Sequence, residues 1–281
     1  RGRLDASIHP FCSGFGTGDV RITWRYDRGD LRPGLFGILH EAGHGMYEQG
    51  LPADWERTPL GPARSMGVHE SQSRLWENHV GRHPGFWRHA LPELQRHFPA
   101  WSGSVDELCP AFHKIEPSLI RVEADEVTYN LHILIRFRLE LALVTGELAV
   151  ADLESAWDGA YEELLGIRPD RPSRGVLQDI HWAEGLFGYF PTYTLGSLLS
   201  AQLFEASEAD LGDHGETFAR GEFAPLLDWL RERIHRHGSY YTAGELTEAA
   251  TGTPLASDAF LRYVGDKLAT YYGIAAPSGD D

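Results

Sequence analysis

A chain of 281 residues with 42% apolar and 23% charged side chains carries ample core material for one large domain or two modest ones. Its 41 acidic against 25 basic residues give a formal charge of −16, which argues against duplex nucleic acid as a partner, because such binding needs a basic face. Two cysteines, Cys12 and Cys109, are too few for a disulfide-stapled secreted fold or a thiolate zinc ribbon, so a reducing cytoplasm is the expected compartment.

The sequence opens at Arg1 rather than Met, as a processed chain or a piece of a longer one would. His9 to Gly18 reads as loop, rich in glycine and containing Pro10. From Asp19 to Tyr26, Val20, Ile22 and Trp24 alternate with polar residues, which predicts a short strand. Helices are then expected over Leu35 to Gln49, Met66 to Val80, Ser104 to Phe112, Ser118 to Thr145 and Ala149 to Leu165. Thr194 to Glu205, Phe223 to His235, Ala243 to Ala250 and Asp258 to Tyr272 complete the helical set. Thr242 and Glu245 have the spacing of a capping box, and Gly273 stands where a C-cap glycine belongs. The uncharged stretch from Gly185 to Phe204 has about the length of a membrane span, but its proline, glycines and hydroxyls read as buried protein. These elements predict a mainly α fold in a single domain over 1–281, with one or two short strands.

His40-Glu-Ala-Gly-His44 is an HExxH pattern, which chance alone yields in roughly one of twenty chains of this composition. On a helix the two imidazoles share a face and can hold one ion, with Glu41 beside them as a base. Position 47 is Tyr and position 50 is Gly, so the longer HExxHxxGxxH pattern is excluded. The third ligand is then a glutamate: Glu48, Glu70 or Glu77. A loop and an antiparallel helical return favour Glu70.

His9-Pro-Phe11, Asp19-Val-Arg-Ile-Thr23, the HExxH segment and His69-Glu-Ser-Gln72 resemble the Taq-type metallocarboxypeptidases. Ile120-Arg-Val-Glu-Ala-Asp125, Gly175-Val-Leu-Gln-Asp-Ile-His-Trp182 and the segment Tyr189 to Gly196 resemble further signatures of that family, in its order. The resemblance implies a helical zincin-like catalytic portion with its strands beside the zinc helix. The family's long N-terminal helical segment would precede the region matching Arg1. It implies a cytoplasmic homodimer that uses Zn²⁺, with Co²⁺ or another divalent ion as alternatives, to release single residues from peptide C-termini. It assigns metal binding to His40, His44 and Glu70 and the base to Glu41. Arg121 is expected to clamp the substrate carboxylate, with Asp125 orienting it. His181 and Tyr193, with Tyr189 in reserve, are expected to stabilise the oxyanion. Asp19 and Arg21 are candidate substrate contacts or a structural pair. Gln178 and Asp179 are expected to orient ligands, and His97, His113, His235 and His237 to sit on the surface. The alternatives are an endopeptidase or oligopeptidase with the same site, and a zinc-binding chain without turnover.

Overall fold

Three short strands, β1 (Gly2–Ala6), β2 (Cys12–Gly16) and β3 (Asp19–Trp24), form a sheet in the order β1-β3-β2. The structure, a computed structural model, describes residues 2–275. β3 runs parallel to β1 (Leu4 opposite Ile22) and antiparallel to β2 (Cys12 opposite Ile22). β2 lies where the sequence predicts a loop. Its Gly14 and Gly16, and the bulge between them, erase the alternation that would have marked it. Thr23 of β3 is buried and accepts a hydrogen bond from the Phe11 N–H (2.9 Å), which ties the preceding loop to the sheet.

By contact density the chain forms two compact units, one up to His113 and again from Leu195 onward, the other Lys114–Thr194. The first unit contains the sheet and the helices α1 (Leu31–Gly50), α2 (Met66–Arg74), α3 (Pro84–His97) and α4 (Val105–Phe112). α2 continues as a π-helical turn over Leu75–Val80, where the Gly81 N–H reaches back to the Trp76 carbonyl. Sequence patterning misses α3, whose apolar spacing is interrupted by Pro92; its Trp87 is nevertheless buried with Phe36, Cys109 and Phe112. The unit's main core joins Tyr47, Leu75 and Trp76 to Leu203, Phe218 and Leu230.

The second unit holds α5 (Tyr129–Thr145) and α6 (Leu153–Leu165), which pack through Ile135, Leu139, Trp157 and Tyr161. α5 starts later than expected. Ser118 to Thr128 is irregular, with one 3₁₀ turn at Arg121–Glu123, because Asp125 accepts from the backbone N–H groups of Val127 and Thr128 and from the Thr128 hydroxyl.

The chain returns to the first unit along α7 (Pro191–Leu211), which buries Leu199, Leu203 and Phe204, whereas Leu186 and Phe187, at the start of the stretch expected to be buried, are exposed. It then completes α8 (Gly215–Ala219), α9 (Ala224–Arg233), α10 (Ala243–Thr251) and α11 (Asp258–Tyr272). Among the described residues no helix is long and apolar enough to cross a membrane. The Thr242–Glu245 capping box and the left-handed Gly273 cap are both formed. His113 and His235 are buried rather than on the surface. His113 bonds the Arg82 carbonyl (3.0 Å), and His235 donates from Nε2 to the Gln72 side-chain oxygen (2.9 Å).

Candidate metal centre

α1 starts at Asp30, whose carboxylate accepts from the Arg32 N–H (2.9 Å). One face of the helix lies under the sheet. A side chain at Gly45 would stand 3.3 Å from Val20 and 3.4 Å from Ile22. Two glycines bring Glu70, the candidate third ligand, to the histidines. A Cβ at Gly43 would lie 2.5 Å from the Gln72 carbonyl oxygen and 2.6 Å from the Ser73 Cα, so α1 and α2 touch backbone to backbone there. On the other side of α2, a Cβ at Gly196 of α7 would lie 2.5 Å from Glu70 Cγ. Glu70 is thereby held between two helices.

His40, His44 and Glu70 offer ligand atoms that all lie within 4.8 Å of one another. Glu70 Oε2 is 3.7 Å from His40 Nε2 and 3.6 Å from His44 Nε2. Donors bound tetrahedrally at zinc-like bond lengths stand about 3.3 Å apart, close to the two Glu70–histidine distances. The outer atoms of these candidate ligands are engaged as well. His40 Nδ1 meets Glu77 Oε2 at 2.8 Å, and Arg74 donates to Glu70 Oε1 (2.8 Å) and to Glu77 Oε2 (3.1 Å). His44 Nδ1 lies 2.7 Å from His69 Nδ1 and 3.1 Å from the His69 carbonyl, and His69 Nε2 reaches Glu48 Oε1 at 2.8 Å. Glu48 and Glu77, the rival ligand candidates, therefore face the outer nitrogens of histidines in this network. His69 and Arg74 were not foreseen, although Glu70, Arg74 and Glu77 repeat at i, i+4 and i+7, a spacing that places them on one helix face.

Among the protein's own charges, burial works against protonated His40, but Glu70 and Glu77 outweigh it and hold its pKa above the usual value. Burial, with His40 and His69 nearby, holds His44 well below the usual value and so neutral. Glu77 is held down to about 2 because Arg74 and His40 overcome its burial. Burial pushes Glu41 up to about 7. Glu41 is only 6% exposed, and its carboxylate has no hydrogen-bond partner among the described residues.

The second unit gathers its own group of expected residues. Arg121 is buried and pairs through Nε with Asp179 (3.0 Å), while its Nη1 donates to the Tyr129 hydroxyl (3.3 Å). Its backbone N–H donates to the Gln178 side-chain oxygen (2.8 Å). Asp179 thus holds the role expected of Asp125, which is spent on its own turn. His181 Nε2 lies 3.0 Å from the Tyr193 hydroxyl, and the Arg121 guanidinium sits 5.1 Å from the Tyr193 ring centroid. Tyr189 packs against both His181 and Tyr193. On β3, Asp19 and Arg21 form a two-pronged ion pair with each other (2.9 Å for both bonds) and remain exposed.

The family profile of the Carboxypeptidase Taq (M32) metallopeptidases matches residues 1–268. The chain belongs to that family. It is 54% identical over 273 residues to Thermostable carboxypeptidase 1 of Thermus thermophilus, covering 97% of this chain and 54% of that protein. To Carboxypeptidase 1 of Bacillus subtilis it is 42% identical, over 96% of this chain and 54% of that protein. The crystal structure of the M32 carboxypeptidase from Deinococcus radiodurans R1 superposes with a TM-score of 0.95 at 46% identity, covering 98% of this chain and 56% of that one. The chain therefore spans about half the length of the curated relatives it matches.

Proposed function

We propose that this chain is the catalytic portion of a zinc-dependent carboxypeptidase that releases single amino acids from peptide C-termini. The observation that carries this reading is the convergence of His40, His44 and Glu70, next to a nearly buried Glu41, in a chain of the M32 family. Two imidazole nitrogens and a carboxylate oxygen suit Zn²⁺, and Co²⁺ or another divalent ion could use the same donors. When bound, such an ion would polarise the scissile carbonyl and make water more acidic. Glu41 takes the proton from the attacking water and returns it to the leaving amine. Its burial beside the candidate ligands suits a group that must both take up and give back a proton.

For Arg121 we propose capture of the substrate's terminal carboxylate. Asp179 and Tyr129 engage Nε and Nη1, so the clamp would use Nη2. For His181 and Tyr193, which bond each other, we propose donation to the developing oxyanion. Asp19 and Arg21 offer an exposed pair of opposite charges to a peptide backbone. We further propose that both units serve one catalytic domain and that the protein works as a cytoplasmic homodimer on peptides with free C-termini. The scarcity of cysteine supports the compartment, and the family resemblance supports the dimer.

The test is hydrolysis of an N-blocked dipeptide by the metal-loaded chain, with Glu41→Gln as control. Release of the C-terminal residue, lost in the control, supports the reading. Equal cleavage of free and C-terminally amidated peptides would instead indicate an endopeptidase. Bound metal without any turnover would indicate a zinc-binding chain.

A further inference from the structure

We infer that Glu48 and His69 form a relay that fixes the metal-binding tautomer of His44 and strengthens its hold on the ion, with Glu48 acting through His69. The inference rests on the metal-centre reading above. His69 stands next to Glu70 on α2, and Glu48 lies one turn beyond His44 on α1, so the contact of these two helices that delivers the third ligand also assembles the relay.

The direction of the chain follows from its far end. Two imidazole nitrogens 2.7 Å apart must share a proton, and either ring could supply it. A carboxylate can only accept, so Glu48 at 2.8 Å requires the His69 proton on Nε2. With that as its single ring proton, His69 presents a lone pair at Nδ1, and the His44 Nδ1–H donates into it. His44 Nε2 is left with its lone pair on the side of Glu70 Oε2, 3.6 Å away. The reverse order would protonate His44 Nε2 and remove a ligand. The His69 backbone carbonyl, 3.1 Å from His44 Nδ1, also only accepts and favours the same tautomer. Loss of Glu48 should therefore weaken the site without abolishing it.

The two ligand histidines are supported differently. His40 leans directly on Glu77, which also takes a bond from Arg74. His44 leans on another imidazole, and the carboxylate behind it is about a third exposed, with 35% side-chain accessibility. Glu48 can therefore be altered with little disturbance to packing, and its effect on His44 must pass through His69.

The decisive measurement is Zn²⁺ affinity, by competition with a chromophoric chelator, for the full chain and for Glu48→Gln, His69→Ala and the double variant. The Co²⁺-loaded proteins are compared by visible absorption. Partners that orient metal ligands typically contribute 10- to 100-fold in affinity. Glu48→Gln should bind Zn²⁺ about 10-fold more weakly and His69→Ala about 10- to 100-fold more weakly, each still taking one ion at saturation. The double variant should be no weaker than His69→Ala alone. The Co²⁺ bands should shift in His69→Ala, and the metal-free melting temperature of Glu48→Gln should match the parent's. Parent-like affinity in Glu48→Gln, or a double variant whose loss multiplies the two single losses, overturns the relay. If His69→Ala fails to fold, Glu48→Gln alone decides the matter. A parent that binds no metal overturns both the relay and the metal-centre reading, whereas a metal-binding parent with an unaffected Glu48→Gln overturns the relay alone.

Discussion

Glu41 is nearly buried, and burial above all, with Glu70 and Glu77 nearby, lifts its carboxyl to about 7 among the protein's own charges. Glu41→Gln keeps the shape and removes the base, so bound metal should persist while turnover falls about 10²- to 10⁴-fold, as metal analysis and steady-state kinetics would show. The proposed ligands behave in the opposite way. His40→Ala, His44→Ala and Glu70→Ala should each lose stoichiometric metal, while Glu48→Ala keeps one ion at saturation; one full equivalent of metal on Glu70→Ala would remove Glu70 from the ligand set. Arg121 needs a gentler probe, because truncating it would strand the buried Asp179 charge. Arg121→Lys keeps the charge and loses the planar fork. It should lower kcat/KM for free peptides by roughly 10-fold or more, given about 1.5–3 kcal/mol for a hydrogen bond to a charged group, and change amidated peptides little. An equal loss on both substrates would make Arg121 a structural residue.

The helix pair α1–α2 is the element on which the centre depends, and Gly43 sets its spacing. In Gly43→Ala the new methyl meets the α2 backbone rather than a flexible side chain, so the helices must separate. The cost should be about 1–3 kcal/mol of stability, with weaker metal binding, read by thermal melting and metal titration. Much of this element was legible in the sequence. The HExxH spacing placed two imidazoles on one helix face, and the length of the following loop favoured Glu70. Glu48 and Glu77 could not be told apart from ligands, because each lies within two turns of a ligand and only the packed helices show which nitrogen it meets. The contact glycines were equally silent, since a glycine needed for close approach looks like any other until its neighbour is known. α5 was misjudged at its start for a different reason. Apolar spacing at Ile120, Val127 and Leu131 continues the helical pattern, but the Asp125 side chain captures the backbone N–H groups that a continuous helix would have used.

Over the whole molecule, histidines that burial keeps neutral contribute to the response to acid. Burial holds His235 down to about 3, and His83 and His132 to about 4. Each is an ordinary histidine once unfolded, titrating near 6.5. The stability they contribute is complete above about 6.5 and is lost as pH falls, because only the unfolded chain takes up the proton. His235 alone should cost about 1.4 kcal/mol per pH unit on the way from about 6.5 down to about 3, and the other two act in the same direction. Denaturation midpoints measured from pH 7 to 4 should fall, and His235→Leu should make the decline shallower by about one proton's slope. An unchanged slope in that variant would show that His235 is protonated in the folded chain.

The wall that Gly196 places behind Glu70 has a consequence for the order in which the molecule is made. His40, His44 and Glu70 are all translated before the second unit, but the helix that closes around Glu70 is translated only after it. A nascent chain halted before Leu195 carries the complete ligand motif with one side of Glu70 uncovered. Folding from the N-terminus during synthesis proceeds at roughly 5–20 residues per second, so this half-walled intermediate persists for seconds rather than milliseconds. Metal capture by the growing polypeptide should therefore be weak and reversible until α7 emerges, and retention of the ion would mark the arrival of that helix.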